Sequence, residues 1–483
     1  MIKKAYMLQG SYGRFGLTKA MFRRCDEFIK RGIHCVSLTV DFTQNIYTIE
    51  AEAKATNSAP IALEFRNPYL DLSIQADTWS NDVGIHIAKN FLLSYIEDNT
   101  VVYYQTNGYK LNQKKYSLAD RLSYIESNDI IISESYLHND IKVEFNYSVK
   151  GLCISIREFD YKSNKQLRCL VFDYSLGVIK YYKSSYQWNI SWMKGLFPID
   201  DNVALICDGP GSARKIVEAK RDKVKVMYVM HNNHKHDNGN IVNRDKWNLE
   251  NKNKFDAIIA LTERHKKDLI NDFGGDNFYN ILNFTKMQKL DFETAYQPMK
   301  IGFFGQLIDR KGVNDAIKAL ALIHERYSLP ATLHFFGGAP NPEDLDKNIA
   351  KYMRTVKEKK LEKFVTFHGY TTKAFQEMSL CHCILFPSYS EAQPLTIVEV
   401  MSLGIPIISY DCKYGPSTMI EDGKSGYLSE VGNIEQLAKN ASDILTNDVL
   451  RAKVSKSAKE RAQQFTDSDY VFQQWNKIFA KLF

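Results

Sequence analysis

The chain has 483 residues, 44% of them hydrophobic and 25% charged, with a formal net charge of +7. That length exceeds one ordinary core and predicts two or three domains of soluble, globular balance. The basic residues are dispersed, no compact nucleic-acid-binding module is present, and no run reaches the roughly 18 apolar residues of a membrane span. A nucleic-acid partner and an integral membrane protein are therefore set aside, while the modest charge permits an anionic partner without demanding one. The first ten residues lack the apolar run of a signal peptide, so a cytoplasmic location is expected. Eight cysteines (Cys25, Cys35, Cys153, Cys169, Cys207, Cys381, Cys383 and Cys412) form no C-x-x-C pair. They read as reduced, buried thiols.

In chain order, residues 4–8 predict a strand, 10–16 a glycine-containing turn, 17–30 a helix and 36–40 a second strand, one βαβ unit. From 47 to 184 the texture changes to short apolar/polar alternations such as 100–104, 152–156 and 167–172, punctuated by Asn107, Gly108, Asn164 and Gly177. This predicts an antiparallel meander inserted into the first domain, with a decorative role as open as a chemical one. The βα rhythm returns near 202, with strands at 203–207, 224–230 and 257–260 and a helix capped by Thr262. A linker is expected at 292–299. A second α/β block follows, with strands at 301–304, 332–336, 365–367, 384–386 and 406–409, as in a parallel doubly wound sheet. Residues 468–483 read as a separate helix carrying Tyr470, Phe472, Trp475 and Phe479.

Three segments point to chemistry. Glu391 and Glu399 bracket Pro394 in a stretch that follows a strand and runs into a helix. Pro suits a first helical turn, and the free amides there suit a phosphate. If fully helical, the two carboxylates would stand about 12 Å apart. That is too far for an inverting acid/base pair, which spans about 6.5–9.5 Å. Contacts to the two ends of a long donor fit better than two solvated carboxylates. The second segment, 305–312, follows a strand and opens a helix. Arg310 and Lys311 there are electrostatically misplaced for a helix start unless an anion binds. The third is His231-Asn232-Asn233-His234 after the strand 224–230, where α/β folds bind ligands. His231 suits a sugar hydroxyl or proton movement, and zinc fits the His231, His234, His236 spacing poorly. Gly16, Gly337-Gly338 and 208–212 add turn signals only.

Together these segments resemble the retaining glycosyltransferases of family four. The resemblance implies the GT-B fold, with two doubly wound Rossmann-like domains facing a cleft and a β-rich meander inserted in the N-terminal one. The domain limits would be 1–46 with 185–296, 47–184, 297–467 and 468–483. Residues 206–212, His231-x-x-His234, Phe367-His368-Gly369-Tyr370-Thr371 and Tyr414-Gly415-Pro416-Ser417, with the insert, further resemble the bacterial wall teichoic acid α-glycosyltransferases.

The resemblance implies a UDP-sugar donor, a polyanionic teichoic acid acceptor and no metal cofactor. It also implies a homo-oligomer, a trimer among the options, and possible peripheral association at the inner membrane face. By position it makes Glu391, His231 and Lys311 the catalytic set, with Glu391 near the reacting centre, His231 at the donor sugar and Lys311 at the diphosphate. Glu399 would hold the ribose, Tyr370 would lie near the uracil, and Gly16 would face the phosphate. The backbone of Gln393, Pro394 and Leu395 would support the sugar-phosphate. Gln306 stands where the family usually has Arg, and Arg310 is the compensating cation. Two alternatives stay open: an O-glycosyltransferase of serine-rich surface proteins, and a non-catalytic partner subunit on the same fold.

Overall fold

A computed structural model describes residues 2–9, 16–41, 49–55, 59–78, 105–106, 109–110, 121–127, 130–138, 140–150, 152–176, 178–236, 239–285, 296–339 and 344–483. The predicted turn at 10–15, the strand at 100–104 and the punctuating Asn107, Gly108 and Gly177 lie outside the described residues. The chain forms two compact units: Met1–Tyr228 with Lys254–Asp256 and Phe483, and Val229–Asn253 with Ala257–Leu482.

Unit 1 runs β1 (Lys4–Leu8), α1 (Gly16–Lys30), β2 (His34–Leu38), α2 (Ile49–Ala55), β3 (Glu64–Arg66) and α3 (Pro68–Thr78). It continues through β4 (Gln105–Thr106), β5 (Tyr109–Lys110), β6 (Arg121–Ser127), β7 (Ile130–His138), β8 (Ile141–Tyr147), β9 (Cys153–Asp160), β10 (Gln166–Asp173) and β11 (Val178–Tyr182). It ends with α4 (Ser185–Leu196), β12 (Val203–Cys207), α5 (Pro210–Ala219) and the part of β13 (Val224–Met230) up to Tyr228. Strands β3, β2, β1, β12 and β13 lie side by side, all parallel. Strands β1, β2, β12 and β13 are mostly buried apolar runs, as a sheet covered on both faces requires, whereas β3, at the edge of the sheet, buries only Phe65 between Glu64 and Arg66. Strands β6 to β11 form the antiparallel meander in sequential order.

The expected start of the insert at residue 47 needs correction. Residues 49–78 continue the βα rhythm, and β3 pairs parallel with β2. Asn67 starts α3 by accepting the Tyr69 amide at 2.8 Å, with Pro68 in its first turn. The meander then packs Phe145, Ile154, Ile156 and Leu170 against Tyr69 of α3 and Trp188 of α4. The Tyr69 and Trp188 rings meet edge to face at 4.7 Å, so these two helices seat the insert.

Unit 2 contains α6 (Asn243–Glu250), β14 (Ala257–Ala260), α7 (Glu263–Phe273), β15 (Phe278–Asn280), β16 (Lys300–Phe304), α8 (Val313–Tyr327) and β17 (Thr332–Phe336). After these come α9 (Asp344–Glu358), β18 (Val365–Gly369), α10 (Ala374–Ser379), β19 (Cys383–Phe386), α11 (Leu395–Ser402) and β20 (Ile407–Tyr410). The remainder is α12 (Pro416–Met419), β21 (Tyr427–Ser429), α13 (Ile434–Thr446), α14 (Asp448–Gln463) and α15 (Ser468–Leu482). Its main sheet has the order β18-β17-β16-β19-β20-β21, parallel throughout. Alternate residues divide between two cores. Ile301, Phe303, Leu333, Phe335 and Leu385 meet α8, α9 and α13 on one face. Phe304, Phe336, Ile384 and Phe386 meet α11 and α14 on the other.

The units divide after Tyr228, not at the expected linker 292–299, of which 292–295 lie outside the described residues. The reason is local. Asn233 donates to the Lys413 carbonyl at 3.0 Å, and Asp268 of α7 lies 3.6 Å from the Lys413 ammonium. The expected separate C-terminal helix is α15, which buries Val471, Trp475, Ile478 and Phe479 within unit 2. All eight cysteines are free and buried, and burial pushes the thiols of Cys169, Cys207 and Cys381 up to about 12. They are inert as nucleophiles. Among the described residues no helix is long and apolar enough to cross a membrane.

Candidate active site

In a sheet of order 3-2-1-4-5-6 the chain leaves strands 1 and 4 toward opposite faces, so a crevice opens beyond their carboxyl ends. In unit 2 those strands are β16 and β19. The segments that follow them, 305–312 and 387–399, contain the two stretches singled out by sequence, 305–312 and 391–399.

The two segments are bonded to one another. The Tyr389 amide donates to the Arg310 carbonyl at 2.9 Å, and the Arg310 guanidinium donates to the Ser390 carbonyl at 2.6 Å. Gly312 has φ +71°, and a Cβ there would collide with the Pro387 carbonyl. Only glycine permits both the left-handed turn and that approach. The short helical turn Asp309–Lys311 precedes α8, and Gly312 caps α8. Within this frame the Lys311 ammonium contacts the Glu391 carboxylate, with the Arg310 guanidinium 3.8 Å from the same oxygen. The side chains of Lys311 and Glu391 are 14% and 10% exposed. The predicted cation and carboxylate thus meet.

Two tyrosines brace the same frame. Tyr389 and Tyr410 both donate to one Asp315 oxygen, at 2.6 and 2.9 Å. Asp315 lies in the first turn of α8 and is 6% exposed, and burial, then the bond to Asp315, pushes the Tyr389 phenol up to about 12.

Glu391 is not helical. Its amide donates to the Lys413 carbonyl at 3.2 Å and its carbonyl accepts from the Tyr414 amide at 2.6 Å, a parallel bridge. Pro394 is the N-cap of α11 rather than a member of its first turn, so the helix begins at Leu395. No side chain caps this end, and helix-start amides lack intrahelical acceptors. Glu399, 8% exposed, lies one turn further along α11. The Gln393 side chain is committed elsewhere, accepting from the Asn283 amide at 2.6 Å and donating to its carbonyl at 2.9 Å. Only its backbone is left for the role the resemblance implies.

Gln306 follows β16 and is half-buried. Its loop is tied to the next two: the Leu307 amide donates to Gly338 at 2.9 Å, and the Gly337 amide donates to Gly369 at 2.8 Å. Tyr370, 51% exposed, therefore shares the carboxyl edge of the sheet with Gln306 and Lys311. Half-buried His231 follows β13, and two residues later Asn233 bonds the same Lys413 carbonyl that holds Glu391. Gly16 is the first residue of α1 in unit 1. Sequence reasoning missed Asn283, Asp315, Tyr389 and Tyr410. Their only local signal was an acidic residue in a first helical turn, which is common.

Residues 288–461 match the model of the family described as Glycosyl transferases group 1. A poly(ribitol-phosphate) alpha-N-acetylglucosaminyltransferase of Staphylococcus aureus is 25% identical over 99% of this chain and 100% of its own. A poly(glycerol-phosphate) alpha-glucosyltransferase of Bacillus subtilis is 23% identical over 77% of this chain and 54% of its own. Among solved structures, S. aureus TarM crystallised as a mutant with Fondaparinux, alpha-GlcNAc-glycerol and UDP superposes with a TM-score of 0.81 at 22% identity, over 99% of this chain and 100% of that one. The fold is GT-B. The pneumococcal O-GlcNAc transferase GtfA has the same fold more distantly, with a TM-score of 0.68 at 15% identity over 100% of this chain and 99% of that one.

Proposed function

We propose that the chain is a retaining glycosyltransferase that moves glucose or N-acetylglucosamine from a UDP-sugar onto poly(polyol-phosphate) wall teichoic acid. The observation that carries the reading is the Lys311–Glu391 contact at the β16/β19 switch point, beside the amide-rich start of α11. Breaking the bond between the sugar and UDP leaves negative charge on the diphosphate. A fixed ammonium and oriented amides stabilise that charge without reorganising. Lys311 then exchanges Glu391 for the diphosphate, and the released carboxylate faces the sugar. Glu399 holds the ribose hydroxyls, Tyr370 borders the uracil and His231 binds the sugar. UDP leaves and the acceptor hydroxyl, passing its proton to the departing phosphate oxygen, attacks on the same face of the sugar, which retains the α configuration. The diphosphate site so built needs no metal.

The acceptor class rests on the staphylococcal relative, whose match spans 99% of this chain. A homo-oligomer and attachment to the inner membrane face through the acceptor belong to the same reading. The test is mass spectrometry of poly(ribitol-phosphate) and poly(glycerol-phosphate) after incubation with the protein and UDP-glucose or UDP-N-acetylglucosamine. One added hexose or N-acetylhexosamine per modified unit is expected. Sugar found only on a Ser/Thr-rich polypeptide would replace the acceptor, and no UDP release with any acceptor would defeat the reading.

A further inference from the structure

Behind the Glu391 segment lies a polar cluster for which the proposed chemistry has no use. His234 and His265 are fully buried and Tyr414 is 2% exposed. Their rings form a stack: His234 and His265 at 5.2 Å and 12°, His265 and Tyr414 at 4.3 Å and 8°. His234 Nδ1 lies 3.1 Å from His265 Nε2, and His234 Nε2 lies 2.8 Å from an Asp272 carboxylate oxygen. The Tyr414 hydroxyl is 3.5 Å from His234 Nδ1.

One protonation pattern gives every ring N–H an acceptor. His234 donates from Nε2 to Asp272, and His265 donates from Nε2 to His234 Nδ1. His265 Nδ1 is then a bare lone pair, and among the described residues it has no hydrogen-bond partner. A second proton on His265 would place an N–H in a buried spot with nothing to accept it. Both rings are therefore held neutral. Burial, then the neighbouring His234, lowers His265 to about 3. Burial also lowers His234, although Asp272 opposes it. The charged groups facing the cluster are Arg264, Asp268 and Asp272 on α7, Lys235 beyond β13, and Lys413 beyond β20.

The stack joins the two segments proposed to carry the reaction. His234 is three residues from His231, and Tyr414 is the residue whose amide holds the Glu391 carbonyl. We propose that His234, His265 and Tyr414 are positioning residues, a neutral stack that fixes the Glu391 strand segment against the His231 loop. The proposal rests on the reading of Glu391 given above. None of the three touches the donor; they act through backbone register. Displacing a reacting group by about 1 Å costs on the order of a hundredfold in rate.

His265→Leu removes the ring and its N–H, while His265→Gln keeps an N–H donor. UDP release from the sugar donor is measured for both, beside Glu391→Gln and with thermal unfolding of each variant. Expected is a kcat loss of about 10- to 100-fold for His265→Leu, an unchanged KM for the donor, and partial recovery in His265→Gln. Wild-type kcat in a folded His265→Leu protein overturns the proposal, as does a loss confined to KM. If His265→Leu does not fold, 15N spectra of the histidine-labelled wild-type protein decide. Neutral rings at His234 and His265 at pH 6, with the tautomers above, support the stack, and an imidazolium at either overturns it. Full activity in Glu391→Gln would instead sink the reading of the site, and the positioning role with it.

Discussion

The two units carry the same winding, and each sets a cation–carboxylate pair at its switch point, but the pairs differ. In unit 1 Arg24 of α1 and Asp208, which follows β12, bond through two parallel contacts of 2.9 and 2.8 Å. Their side chains are 6% and 0% exposed. Both charges are buried and satisfied, so this pair is structure. In unit 2 Lys311 meets Glu391 through one carboxylate oxygen, and both retain some exposure to solvent. The difference teaches that topology supplies the crevice, while the degree of commitment of the charges decides whether a ligand has anything to bind.

The comparison breaks most visibly at Asp208. Asp208→Ala removes the buried carboxylate that the Arg24 guanidinium bonds through two contacts, and a loss of about 3–5 kcal/mol in denaturant unfolding is expected. Lys311→Ala should show the opposite profile, with a smaller loss of stability and UDP release slowed about 10²- to 10³-fold in steady-state assays. Gly312→Ala tests the frame that holds the pair. Its Cβ meets the Pro387 carbonyl at positive φ, and a loss of about 1–3 kcal/mol is expected in thermal unfolding. Acid sharpens the contrast further. His265 takes up its proton near 3 when folded against 6.5 for a free imidazole. The unfolded chain therefore binds the proton first, and stability is full above about pH 6.5 and falls toward pH 3. From this group the slope reaches about 1.4 kcal/mol per pH unit, measurable as midpoints of urea unfolding across pH. The smallest effect is expected for Thr262→Ala. Thr262 accepts the His265 amide at 3.2 Å as the cap of α7, and about 1 kcal/mol is expected in thermal unfolding.

Much of the fold is legible in the sequence because buried parallel strands are unbroken apolar runs. Strand β16 and the segments after β16 and β19 fall where the pattern puts them. The stretch 68–78 misleads, since Leu70, Leu72 and Ile74 alternate like a strand. Asn67 and Pro68 carried the contrary signal, a cap followed by proline. Of the site, Lys311 and Glu391 are legible because each follows a strand and their residue types match anion and sugar chemistry. The clamp of Gln393 on Asn283 spans 110 residues, and that of Tyr389 on Asp315 spans 74. No local pattern encodes such contacts, because they exist only once the sheet has brought its loop ends together. His265 is hidden for the same reason. On its helix it reads as an ordinary surface residue, and Tyr414 and His234 bury it from distant parts of the chain.

The most direct measurement is a crystal structure of the protein with UDP. The account predicts both phosphates between the Lys311 ammonium and the first amides of α11, with Glu391 released from Lys311. Phosphates bound elsewhere, with the Lys311–Glu391 contact intact, would contradict it.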